Sequence, residues 1–305
     1  AAGFDVTVLE KSRGVGGRCA TRRAGVLAFD HGAQYFTARS PGFAAEVERF
    51  AAAGPVAPGQ ARLGPGARGQ HPGEDRFVGV PGMSSLGHAL AEGLDVRTGT
   101  RVAALEEGPP WRLRGERGDE LGAYHTVVVS APAPQARTLL EAVPALARRA
   151  EVASLAPCWA TLVAFEAPLG APFDAARPGG DRLAWVARNG AKPGRPPGEC
   201  WTLHADAPWS EAHLEEDPET VAREMLDELA ALLGTRLPPA IHRAAHRWRH
   251  AQVTRAAPGE GFLWDPDARL GACGDWCTGP RVEAAWESGT ALARALGGMR
   301  GLDRA

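Results

Sequence analysis

The run Val6-Thr-Val-Leu-Glu10-Lys-Ser-Arg-Gly-Val-Gly-Gly-Arg18 limits the possible folds more than any other stretch of this chain. Its apolar segment, Val6 to Leu9, reads as a short strand that delivers an acid, Glu10, to its carboxyl end. An acid in that place accepts hydrogen bonds from both hydroxyls of an adenosine ribose, so the run has the form of the second half of a dinucleotide-binding βαβ unit. Gly14, Gly16 and Gly17 let the backbone approach a ligand closely, and Arg18 sets a fixed positive charge beside its phosphates. An ordinary strand ending in a glycine-rich turn fits the same residues equally well. In the full fingerprint a first strand and a Gly-x-Gly-x-x-Gly turn precede the acid by about 20 residues. Here Ala1 to Asp5 reads as the last turn of the intervening helix and its exit, with Gly3 as the stop signal. The expectation is that the sequence begins late, with the phosphate-cradling loop upstream of Ala1; a variant that binds without that loop is the alternative.

At 305 residues the chain is long for one core, and two interleaved domains are expected. Hydrophobic residues at 44% and charged residues at 23% are ordinary for a globular protein. A net charge of -2 offers no basic field for nucleic acid or anionic membrane, and no apolar run reaches spanning length, so a cytoplasmic protein is expected. Five cysteines without metal-like spacing argue against both a disulfide framework and a metal site; Cys273 and Cys277 read as buried small residues.

Gly54 to Gly73 lacks a sustained period and reads as an exposed excursion. Ser84 or Ser85 caps a short helix closed by Gly93, followed by a hairpin-like stretch from Leu94 to Leu105. Thr126 to Ser130 suits a strand buried on both faces, with a domain crossover soon after. Trp159 to Glu166, Leu183 to Ala187 and Cys200 to Ala205 read as strands of a sheet wall. Asp217 and Pro218 open an amphipathic helix with an apolar stripe of Val221, Met225, Leu229 and Leu232, stopped by Gly234. Arg247 to Val253 is extended, with Trp248, His250 and Gln252 on one face. Leu270 to Cys273 reads as a short buried strand, Gly274-Asp275 as a turn, and Arg281 to Leu296 as a helix. A carboxylate at that turn suits a ribityl hydroxyl and the positive helix end suits a reduced flavin, although Gly-Asp before a helix is also a common cap.

Together these segments carry a resemblance. Gly16-Gly17-Arg18, Phe29-Asp-His-Gly-Ala-Gln-Tyr-Phe-Thr37, Val80-Pro-Gly-Met-Ser-Ser85, Arg247-Trp-Arg-His-Ala-Gln-Val-Thr254 and Ala272-Cys-Gly-Asp275 are similar to renalase and its bacterial relatives, flavoproteins of the amine-oxidase-like superfamily. The segments span nearly the whole chain, and the Trp-Arg-His-Ala-Gln-Val-Thr run is the most distinguishing. The resemblance implies an α/β fold in which a discontinuous Rossmann-like domain, residues 1–43, 82–150 and 257–305, is interleaved with a mixed-sheet plus helix substrate domain, residues 44–81 and 151–256. Noncovalent FAD would be clamped between them. Glu10 and Lys11 would lie at the adenosine ribose, Gly17 and Arg18 near the pyrophosphate, and Gln34 and Tyr35 against the flavin. Val102 would meet adenine through its backbone, Asp275 the ribityl-phosphate part, and Val282 and Glu283 the ring at the helix start.

The implied chemistry is hydride transfer from 2- or 6-dihydro isomers of NAD(P) to flavin N5, then reoxidation by O2 to give hydrogen peroxide. Such substrates expel hydride readily, so the protein must mainly stack the ring, exclude water and supply positive potential, in keeping with the lack of an evident acid/base pair. Candidate contacts to this small-molecule substrate are Tyr35, Asn189, His204, Trp248 and His250; no residue is singled out as catalytic. An amine oxidase or desaturase on the same scaffold, or a non-enzymatic remnant, are the competing readings.

Overall fold

The computed structural model of the protein describes residues 3–67, 74–106 and 108–299. The first strands in chain order are β1 (Thr7–Leu9), β2 (Thr21–Ala24), β3 (Leu27–Asp30), β4 (Val56–Pro58), β5 (Phe77–Gly79) and β6 (Asp95–Arg97). Then come β7 (Val102–Glu106), β8 (Trp111–Gly115), β9 (Glu120–Tyr124), β10 (Val127–Val129), β11 (Ser154–Phe165) and β12 (Ala175–Ala176). The last are β13 (Leu183–Arg188), β14 (Glu199–Ala205), β15 (Ala240–Arg255), β16 (Leu263–Asp265) and β17 (Leu270–Ala272). The helices are α1 (Pro41–Ala53), α2 (Ser84–Ala91), α3 (Ala133–Leu139), α4 (Pro144–Glu151), α5 (Ala207–Ala212), α6 (Pro218–Leu233) and α7 (Val282–Met299). The fold is mixed α/β, with a Rossmann-like portion interleaved with a sheet-and-helix portion, and it forms two compact units.

The first unit gathers Ala1–Val15, Ala91–Leu155 and Val253–Ala305. In it β1 pairs in parallel with β6, β10 in parallel with β17, and β7, β8 and β9 form an antiparallel sheet. Its core joins Trp111, Leu113, Leu140, Leu270 and Trp276, and Leu9 of β1 packs against the same cluster. The indoles are anchored as buried Trp requires: Trp111 Nε1 donates to the Ala268 carbonyl at 2.8 Å and Trp276 Nε1 to that of Ala131 at 3.0 Å. Two sequence readings change here. Leu94 to Leu105 is no hairpin, because β6 and β7 join different sheets. Nor is Thr126 to Ser130 buried on both faces: β10 is an edge strand and Val128 is 41% exposed.

The second unit comprises Gly16–Leu90 and Ala156–Gln252. Its sheet has the order β12-β13-β14-β11-β15, and the strands expected from sequence at β11, β13 and β14 are all present. Period-two alternation divides this sheet into two faces. One carries Trp159, Val163, Trp201 and Leu203 against Val221, Met225 and Leu229 of α6. Helix α6 has the predicted limits, since the Asp217 carboxylate accepts from the backbone N–H groups of Glu219 and Thr220, both at 3.0 Å, and Gly234 closes it at φ 63°. The opposite face carries Leu162, Ala164 and Cys200 against Phe29 of the β2–β3 hairpin.

That hairpin explains why residues 16–43, placed with the Rossmann-like domain by sequence, pack in the second unit: Phe29 is fully buried on the sheet, and Asp30 takes the Met83 backbone N–H at 2.9 Å. The stretch from Gly54 is also more ordered than expected. Strand β4 pairs with β5, Ala67 is fully buried, and only residues 68–73 of that excursion lie outside the described residues. Ala1 and Ala2 of the proposed N-terminal helix turn also lie outside them.

Candidate active site

In the first unit, the residues expected to hold a nucleotide stand at strand ends and helix starts. Glu10 follows β1; its Oε1 accepts from its own loop at Ser12 N, 2.6 Å, a bond that fixes the carboxylate at the strand's carboxyl end. Held this way, the carboxylate stands at the strand end where the sequence reading expects a ribose. Lys11 Nζ donates to Gln135 Oε1 of α3 at 3.0 Å, a surface tether. Val102 opens β7, an edge strand, which leaves one side of its backbone without a strand neighbour among the described residues. Asp275, 5% exposed, follows β17 through Gly274, whose φ of 150° and a would-be Cβ 2.9 Å from the Trp276 indole both require glycine. Val282 and Glu283 begin α7 as predicted. Glu283 is 1% exposed and 3.5 Å from Arg281, so part of the helix's positive end faces this acid.

In the second unit, the ring-side candidates form a connected polar network around β3 and the segment after it. Gly17 has φ 50° and a Cβ there would meet no protein atom within 4 Å, so open space lies beside that backbone. Arg18 donates to the Ala251 carbonyl of β15 at 3.0 Å and accepts from Ala33 N at 2.8 Å. The second bond brings the chains so close that a Cβ on Gly32 would lie 2.0 Å from the Arg18 oxygen.

Gln34 uses both ends of its amide within the protein: Nε2 donates to the Asp30 and Gly32 carbonyls and Oε1 accepts from Lys192 Nζ at 3.0 Å. Asn189 does likewise, donating to Ala28 O at 2.7 Å and accepting from Asp30 N at 3.2 Å, so it extends the β3 ladder; a substrate contact would compete with one of these bonds. His204 Nε2 and Trp248 Nε1 converge on one acceptor, the His31 carbonyl, at 3.2 and 2.9 Å. His250 lies two residues beyond Trp248 and shares its face of β15. The rings of His31, His246 and Trp248 pack mutually at centroid distances of 4.5 to 4.9 Å. Tyr35 packs on Trp185 at 5.7 Å.

Sequence reasoning missed the two cations that organise this region. Lys192 Nζ lies 3.0 Å from Asp30 Oδ2 and the Arg195 guanidinium 2.6 Å from it, with Arg195 side chain and Asp30 fully buried. Their Asn189-Gly-Ala-Lys-Pro-Gly-Arg195 run resembles any polar loop until its contacts are known. Burial alone would raise Asp30, but the charges of Lys192 and Arg195 and the Met83 N–H outweigh it and hold the carboxyl at about 2. Burial lowers Lys192, with Asp30 opposing. Burial also pushes His31 down to about 4, helped by His246, and His204 down to about 4, helped by Lys192 and Arg177, so both imidazoles are neutral near pH 7.

The sequence profile described as flavin containing amine oxidoreductase matches residues 62–297. The chain belongs to the flavin-containing amine oxidoreductase family. A second profile, described as an NAD(P)-binding Rossmann-like domain, matches residues 1–52, the stretch that carries Glu10. The family chain resembles the crystal structure of an oxidoreductase from Methanosarcina mazei, with TM-score 0.67 at 13% identity over 96% of this chain and 95% of that one. It also resembles a protein from Exiguobacterium sp. 255-15 provisionally described as a protoporphyrinogen oxidase, with TM-score 0.50 at 16% identity over 64% of this chain. The chain spans 44% of that protein's length. These likenesses show the fold. Among the described residues no helix is long and apolar enough to cross a membrane, and no cluster of His, Cys, Asp and Glu is suited to a metal ion.

Proposed function

We propose that the protein is a renalase-like oxidase that uses noncovalent FAD to convert 2- or 6-dihydro isomers of NAD(P) to NAD(P)+, with O2 reduced to hydrogen peroxide. A bound flavin supplies the hydride acceptor and the route to oxygen. Glu10 would hold its adenosine ribose, Val102 the adenine and Asp275 the ribityl-phosphate part, with Val282 and Glu283 at the helix start near the ring. Lys11, tethered to Gln135, would border the ribose, Gly17 would leave room for close approach, and Arg18 would supply charge near the pyrophosphate.

The observation that carries the reading is the electrostatic character of the face around Gln34 and Tyr35. Its buried carboxylates are engaged, Asp30 by Lys192 and Arg195 and Asp174 by Arg62 and Arg188, so among the described residues no buried acid there waits for a substrate ammonium. His31 and His204 are neutral and weakly basic. Such a face suits a substrate that needs to lose only hydride and to be held flat in a dry, electropositive setting. His204, Trp248 and His250 would border the substrate, with Tyr35 beside them, and Asn189 would act by fixing β3.

The family match and the Tyr35–Trp185 pair favour a second reading, oxidation of an amine. Against it, guanidinium groups cover both rings: Arg76 at 4.3 Å from the Tyr35 centroid and Arg177 at 5.1 Å from that of Trp185. A cationic amine would be repelled there. Anaerobic titration of the flavin-loaded protein decides between them. Bleaching of the visible flavin band by 6-dihydro-NAD(P), followed by return of colour and peroxide on aeration, is the expected result; bleaching by amines alone would replace the proposal with the second reading.

A further inference from the structure

The Tyr35–Trp185 pair is surrounded by hydrogen-bond donors that have no acceptor. Trp185 Nε1 and Arg76 Nη1 are buried and make no hydrogen bond among the described residues. Arg177 is exposed, lies over the Trp185 ring at 5.1 Å from its centroid and makes no ion pair among the described residues. Nearby acids are already engaged: Asp174 by Arg62 and Arg188, at 3.0 and 2.8 Å, and Asp30 by Lys192 and Arg195. Arg177 also acts electrostatically on His204, a candidate substrate residue. A guanidinium is a planar fork of N–H donors that receives phosphate oxygens in pairs. Two buried unmet donors, Trp185 Nε1 and Arg76 Nη1, beside the exposed Arg177 guanidinium suit a group that accepts, and more than one arginine suits more than one negative oxygen; the Thr202 hydroxyl, opposite Ala187 on the neighbouring strand, is unmet as well.

We propose that Arg177 and Arg76, seated on Trp185 and Tyr35, form a subsite for the phosphate of a nucleotide substrate. This rests on the dihydronicotinamide reading above and deepens it: the protein would prefer nucleotides to the corresponding uncharged ribosides. The exposed Arg177 makes the entry contact, and Arg76, which also donates to the Ala67 carbonyl, fixes the inner end.

Calorimetric titration of the flavin-loaded protein with nicotinamide mononucleotide and with nicotinamide riboside tests the subsite. The mononucleotide is expected to bind about tenfold more tightly, the scale of one charge-assisted hydrogen bond. Added salt narrows that ratio, Arg177→Met brings it close to one, and Arg177→Lys gives an intermediate value. Arg177 lies at the surface, so its substitution spares the core, and a circular dichroism melt of each variant checks this. Equal affinity in the unsubstituted protein, or a ratio that Arg177→Met leaves unchanged, overturns the subsite. The parent reading is read separately from flavin bleaching: if 6-dihydro mononucleotide and riboside bleach equally well and bind equally, the subsite falls and the oxidase reading stands. If neither bleaches but the binding ratio depends on Arg177, the oxidase reading falls and the phosphate subsite stands.

Discussion

Five donors reach the Asp30 carboxylate: Thr21 Oγ1 at 2.7 Å, Met83 N at 2.9 Å, Lys192 Nζ at 3.0 Å, and Arg195 Nη2 and Nε at 2.6 and 3.2 Å. Two cations share one anion in a fully buried place, so removing the anion leaves both without a counter-charge. Asp30→Asn is therefore expected to destabilise the protein by about 3–5 kcal/mol, the usual cost of breaking a buried ion pair from one side. The double change Asp30→Asn with Lys192→Met should recover part of that loss, because it removes one of the stranded charges. Urea unfolding of the two variants measures this; a single variant as stable as the parent would mean that water reaches the network. The sequence identified Gln34 and His204 as site candidates but not Asp30, Lys192 or Arg195. Motif reasoning finds residues that stand beside a strand end or on a strand face, and it has no means of pairing an acid at 30 with cations at 192 and 195.

At the level of elements, the β2–β3 hairpin meets β14 and β15 through neutral imidazoles. His31 Nδ1–H donates to the Ala20 carbonyl, 3.0 Å away, while His204 and Trp248 donate to the His31 carbonyl. An unfolded histidine titrates near 6.5, whereas His31 and His204 titrate near 4 in the fold. Above 6.5 both states are neutral and the contribution is complete. Between 6.5 and 4 only the unfolded chain takes up protons, so stability falls as pH falls, by on the order of 3 kcal/mol per histidine. Thermal melts from pH 7 to 4.5 should show a steady loss that begins well above carboxylate titration, and His204→Asn should flatten it. A melting temperature independent of pH over that window would contradict the neutral-imidazole arrangement.

The elements themselves differ in how readily their sequences reveal them. Helix α6 declares itself through cap, stripe and glycine stop. Strand β15 runs from Ala240 to Arg255, but its first half, Ala-Ile-His-Arg-Ala-Ala-His, has no clear alternation and is set by pairing beside β11. The packing of residues 16–43 was likewise hidden, because the apolar Phe29 fits a cover for either unit until its partners Leu162, Ala164 and Cys200 are known.

For the whole molecule, flavin binding is the event that stability can report. A ligand that binds only the folded chain adds about 2.7 kcal/mol at a concentration one hundred times its dissociation constant. Added FAD should therefore raise the melting temperature by several degrees and saturate, whereas riboflavin, which lacks the adenosine ribose that Glu10 would hold, should do less. The linkage is expected to be noncovalent. A covalent flavin bond needs a competent nucleophile, and the cysteines flanking Asp275 are poor ones: burial pushes the Cys273 thiol up to about 11 and the Cys277 thiol up to about 12. Acid precipitation of the loaded protein should accordingly leave all of the yellow colour in the supernatant as intact FAD. Colour retained in the washed pellet would show a covalent bond and direct attention to histidine or tyrosine instead, since neither of those two cysteines is a thiolate at neutral pH.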